Sequence, residues 1–146
     1  MPEVIPDPDM VSRLLFEPSM RGADRELFWD GIFQFPSDAG RCESVIWRKY
    51  AKDIADVHEK GCEKQSSDRS HGRNKSTYFG AITGNVGDIR SIRSANGIYL
   101  TVEHVPDEGI FHAHVGFSPG SKKNDRSTLK VLLKAKFGPV EGHACP

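Results

Sequence analysis

Ile98-Tyr99-Leu100-Thr101-Val102-Glu103-His104-Val105-Pro106-Asp107-Glu108-Gly109-Ile110-Phe111-His112-Ala113-His114-Val115-Gly116-Phe117-Ser118 is the stretch that decides the fold. Residues 98–105 and 110–118 alternate apolar and polar types, and the turn between them has proline and glycine at its ends, so the segment reads as a β-hairpin. Side chains alternate across a strand. Phe111, Ala113, Val115 and Phe117 therefore share one face, and His112 and His114 share the other. A turn confined to Pro106–Gly109 sets Val105 opposite Ile110, Glu103 opposite His112 and Thr101 opposite His114. Tyr99, Thr101, Glu103, His112 and His114 then form a polar row, while Ile98, Leu100, Val102 and Phe117 face the core.

Before the hairpin, Val86, Ile89 and Ile92 recur at helical spacing, with Thr83 or Asn85 as amino cap and Asn96-Gly97 as stop. Leu129, Leu132, Leu133 and Phe137 predict a last helix over 127–137, capped by Ser127 or Asp125 and stopped by Gly138-Pro139. Residues 77–82 read as a short strand, and the aromatic-rich 27–35 segment as a core strand. Trp47, Tyr50, Ile54, Val57 and Gly61 follow intervals of three and four, which predicts a helix over 45–58 with Ser44 and Gly61 as its caps. Residues 63–76 hold no aliphatic or aromatic side chain and read as a polar loop, a candidate lid or partner-binding segment. Pro2, Pro6, Pro8 and Pro18 surround residues 10–16 and mark 1–20 as an extended arm with at most one short helix.

The expected fold is α+β. A single domain over 21–146 carries an antiparallel sheet made of the 27–35 and 77–82 strands and the 98–118 hairpin, covered on its apolar face by two to three helices. The chain has 146 residues, enough to bury a core without disulfides or metals. Its three cysteines show no C-x-x-C spacing, so neither a disulfide framework nor a ribbon-type zinc site is expected, and Cys42 and Cys145 read as structural or free thiols. No stretch approaches the roughly 18 apolar residues of a membrane span, and the amino terminus lacks signal-peptide regions, which makes a cytoplasmic location the expectation.

Formal net charge is zero, from 20 Lys+Arg and 20 Asp+Glu. The charges are segregated. Residues 1–43 carry nine acids and four bases, net −5, and the remainder is net +5. The two parts either neutralise each other on folding or leave a basic surface that attracts an anion.

Chemistry concentrates on the hairpin. A carboxylate bonded to one imidazole nitrogen fixes its tautomer, and two imidazoles can divide general-base and general-acid roles. The leading reading is a small hydrolase or nuclease in which Glu103 orients His112, His114 is the second proton-transfer group and Tyr99 assists. Arg90, Arg93, Lys122, Lys123 and Arg126 would bind a phosphorylated or nucleic-acid substrate, and Thr83-Gly84-Asn85-Val86-Gly87 could open a helix whose free amides meet an anion. A non-catalytic binding module is the competing reading, with protein contacts through the 1–20 arm and the 63–76 loop.

The reading needs no cofactor or takes a divalent metal, zinc foremost. His112, His114 and Asp125 give His-x-His-x10-Asp, which is similar to the zinc-ligand spacing of the JAMM (MPN-type) isopeptidases. That resemblance covers residues 112–125 and implies zinc hydrolysis. Lys122 stands where those enzymes carry a serine, no proline follows the second histidine, and no convincing upstream catalytic glutamate is found. His58 and Cys62, four apart, are close enough on a helix to share one ligand site.

Overall fold

The computed structural model describes residues 1–34, 42–72 and 76–146. Its strands are β1 (Met10–Glu17), β2 (Glu43–Trp47), β3 (Thr77–Asn85), β4 (Leu100–His104), β5 (His112–Phe117) and β6 (Glu141–Gly142). Its helices are α1 (Trp29–Ile32), α2 (Ile54–Ser70), α3 (Val86–Ser91) and α4 (Lys123–Lys134), with a short 3-10 turn at Pro106–Glu108. The strands form one antiparallel sheet in the order β4-β5-β2-β1-β3-β6, so the α+β architecture expected from the sequence is the one observed.

The expected arm holds an inner strand of that sheet. Val11 and Leu15 point to one face; Ser12, Leu14 and Phe16 point to the other, and both faces are covered. A strand buried on both sides loses its apolar–polar alternation, and the prolines that suggested an arm flank β1 without interrupting its ladder. Residues before β1 also pack down. Ile5 is buried, Trp47 Nε1 donates to Asp9, and Arg90 donates to the carbonyl of Ile5 and to Asp7. Ion pairs Glu3–Lys49, Asp7–Arg90 and Asp30–Lys130 join the acidic amino-terminal part to bases further along. Mutual neutralisation thus accounts for part of the charge segregation.

Two more expectations are corrected. Residues 27–35 are not a strand: Leu27 makes a lone bridge to Arg21, the chain turns through α1, and residue 35 lies outside the described residues. The helix expected over 45–58 is β2 followed by the amino-terminal part of α2, because the three–four spacing ran across two elements. Val45, Ile46 and Trp47 are buried on alternate faces, as an inner strand requires. Asp53 caps α2 by accepting from the amide of Asp56 at 2.8 Å, and the helix continues to Ser70, through most of the expected 63–76 loop.

The apolar pattern fades in α2 because its later sheet-facing residues are Gly61 and Gln65. Gln65 Oε1 accepts from the Tyr78 amide at 2.8 Å. A Cβ at Gly61 would fall 2.4 Å from the Tyr78 ring, so this glycine is a close-approach point rather than a helix stop.

Helices cover both faces of the sheet. Ile32, Val86, Ile89, Leu129 and Leu133, from α1, α3 and α4, join the larger core; Val57 of α2 joins Ile46, Ala51 and Ala81 in a smaller core on the opposite face. Asn85 caps α3, accepting from the Asp88 amide, and Asp125 lies in the first turn of α4. No helix among the described residues is long and apolar enough to cross a membrane.

The cysteines also depart from expectation. Cys62 and Cys145 form a disulfide across 83 residues, while Cys42 is a free thiol.

Candidate functional site

β1 and β2 pair at only two positions, Val11–Trp47 and Ser12–Ile46, whereas β1 follows β3 along its whole length. Beyond those two pairs Arg13 bridges the split. Its guanidinium donates to the carbonyls of Ile32 and Ser44 and to Glu43 at 3.0 Å, and the other Glu43 oxygen accepts from the Gln34 amide. Over this split lies a cleft of about 700 Å³. Leu14, Ser44 and Ile46 contribute from the sheet, Lys60, Glu63, Lys64 and Ser67 from α2, Glu108 and Phe111 from the hairpin connection, and His112 from the start of β5.

His112 therefore sits at a cleft, on the face expected for it. Its partner differs. Observed pairs are Thr101–Gly116, Glu103–His114 and His104–Ala113, a register two residues away from the expected one. The expected four-residue turn is a longer connection through Val105 and Phe111, because Pro106–Glu108 forms a 3-10 turn. A shift of two preserves the faces, so the polar row survives while Glu103 moves from His112 to His114. The carboxylate bonded to His114 comes from elsewhere: Glu108 Oε2 lies 2.5 Å from His114 Nε2.

His112 Nδ1 is buried and has no hydrogen-bond partner. Desolvation lowers the pKa of this imidazole, helped by His114 and Lys64 and opposed by the Glu108 carboxylate. The ring is therefore neutral at neutral pH, with an unsatisfied nitrogen beside a held His114–Glu108 pair. Lys60 Nζ lies 4.7 Å above the Phe111 ring, and Lys60 and Lys64 stand four apart along the cleft wall.

The other expected residues are not drawn into this cleft. Tyr99 carries the Arg93 guanidinium over its ring at 4.9 Å. Arg93 also donates to the carbonyls of Arg90 and Ile92, and Arg90 to that of Val102. Lys122, Lys123 and Arg126 belong to the first turn of α4 and its cap, on the opposite side of the sheet from α2. Asp125 does not join His112 and His114. It accepts from Ser94 at 2.7 Å, from Asn96 and from the Lys122 amide, bonds that hold its carboxyl below the usual range. Among the described residues no group of three or more His, Cys, Asp or Glu side chains is arranged to hold a metal. The glycine turn at the start of α3 takes its own amino-terminal segment, with the Val86 and Gly87 amides donating to the carbonyls of Asp9 and Asp7.

Glu108, Lys60 and Lys64 line the cleft without standing in the polar row of the hairpin. Glu108 read as turn, and Lys64 fell in a segment read as loop. The i,i+4 spacing of the two lysines was the available signal. His104 is also new: buried on the core face, it accepts from the Glu3 amide at Nδ1 and donates from Nε2 to the Ile110 carbonyl, pinning the amino terminus to the hairpin.

No family model matches the chain, and neither a curated protein nor a solved structure matches it.

Proposed function

We propose that this protein is a small hydrolase acting on a phosphorylated or nucleic-acid substrate in the cleft between α2 and the β4–β5 connection. The observation that carries the reading is a neutral His112 lining the cleft beside the His114–Glu108 pair. A neutral imidazole on a cleft wall suits a proton-accepting role toward a water or hydroxyl in the cleft. Lys60 and Lys64 supply positive charge on the facing wall, the role first expected of Arg90, Arg93 and the Lys122–Arg126 group.

In the reaction, the neutral His112 ring takes a proton from water as the water oxygen attacks phosphorus. The bond to the leaving oxygen breaks, and His114 supplies a proton to that oxygen. Glu108 fixes the orientation and tautomer of His114. The cytoplasm is the setting we assign, where Cys62 and Cys145 would be held as thiols.

The test is hydrolysis of aryl phosphomonoesters, aryl phosphodiesters and a single-stranded oligonucleotide. His112→Ala is expected to cost roughly 10²–10⁴-fold in turnover with little change in thermal midpoint. Turnover that survives His112→Ala overturns the assignment. Activity that falls on chelation and returns with zinc would instead make the histidines metal ligands.

A further inference from the structure

On the flank of α2 away from the cleft, the carboxyl-terminal segment lies along the helix in two rungs. His58 stacks on His143 with ring centroids 4.4 Å apart, and Cys62 is bonded to Cys145. The rungs match because four residues of helix rise about 6 Å. Two residues of extended chain reach nearly the same distance, about 6.6 Å. Two histidines and two cysteines are thus brought to one place by segments more than eighty residues apart. Together with Ile54, Glu59 and Gln65 they line a second cavity of about 770 Å³.

The His58 ring has only one nitrogen to offer. Its Nδ1 is hydrogen-bonded to the hydroxyl of buried Tyr78 at 2.7 Å, which leaves Nε2. A hydrogen bond to the other ring nitrogen is the usual companion of a metal-bound histidine. With both sulfurs bonded to each other the set cannot take an ion.

We infer that, once the disulfide is reduced, Cys62, Cys145, His58 and His143 form a zinc site that clamps the carboxyl-terminal segment to α2. Reduction by a dithiol breaks the S–S bond; each sulfur gains one electron and one proton, and the dithiol closes to its own disulfide. Zinc then displaces both thiol protons. Two thiolates and two imidazoles are a tetrahedral zinc donor set. A tetrahedral ion cannot lie in the planes of two parallel rings, so binding tilts His143, which stands on an exposed segment and can turn.

This site is separate from the His112 cleft, so its test needs no substrate. The full chain is reduced with a phosphine, freed of reductant and titrated anaerobically with cobalt(II). Reduced protein is expected to bind one equivalent with the visible bands of tetrahedral cobalt and a thiolate-to-cobalt charge-transfer band, both erased by zinc and absent from oxidised protein. Cys42→Ser leaves the spectrum intact. His143→Ala, in an exposed position that the fold tolerates, weakens binding by roughly tenfold or more. Lack of a tetrahedral cobalt spectrum in reduced protein that keeps its far-ultraviolet circular dichroism overturns the inference. So does a spectrum that His143→Ala leaves unchanged.

Discussion

Glu108 Oε2 lies 2.5 Å from His114 Nε2, although Glu103 is the residue that stands opposite His114 in the β4–β5 ladder. The 3-10 turn brings Glu108 back over the strand, so a residue of the connection supplies the carboxylate. Glu108→Gln is expected to shift the ring-nitrogen NMR signals of His114 and to lower turnover by roughly tenfold or more. Glu103→Gln is expected to leave both nearly unchanged. Equal effects of the two substitutions would remove Glu108 from its positioning role.

Stability should fall on mild acidification. His112 and His58 both have pKa values lowered by burial from the ordinary 6.5. Above 6.5 both folded and unfolded chains hold them neutral. As pH drops below that value the unfolded chain takes up protons first, and stability is lost progressively until the folded pKa values are passed. The thermal midpoint should therefore decline from pH 6.5 downward, and His112→Asn should make the decline shallower.

Arg13 and Glu43 hold the split between β1 and β2 with both side chains largely buried. Removing one partner leaves an uncompensated buried charge. Glu43→Ala is expected to cost about 3–5 kcal/mol in urea unfolding. A double Arg13→Met, Glu43→Leu variant should recover part of that loss, because it removes both charges together.

Gly61→Ala should destabilise the chain by about 1–3 kcal/mol, since the added methyl meets the Tyr78 ring at 2.4 Å and α2 must move off the sheet. Intrinsic helix propensity predicts the opposite sign at this position. Urea unfolding of the variant decides which effect wins.

The legible parts of the fold were those where one element buries one face. β4 and β5, α3 and α4 show their period because each has one side in contact with the core. β1 and β2 lie under helices on both faces, so their sequences carry no alternation to read. The second half of α2 packs through glycine and a hydrogen-bonded glutamine, and its polar composition resembled a loop. In the candidate site, His112 and His114 were visible through their strand alternation. Glu108 was not, because the shape of the connection determines where its carboxylate goes.

The residue pattern alone specifies an antiparallel α+β domain with a hairpin whose two histidines share a polar face. Those properties follow from local periodicity, and a register shift of two residues leaves them unchanged. Long-range packing sets which carboxylate meets His114, opens a cleft beside His112 and brings Cys62 to Cys145. Each of these depends on where distant segments come to rest against one another, and spacing along the chain carries no record of that.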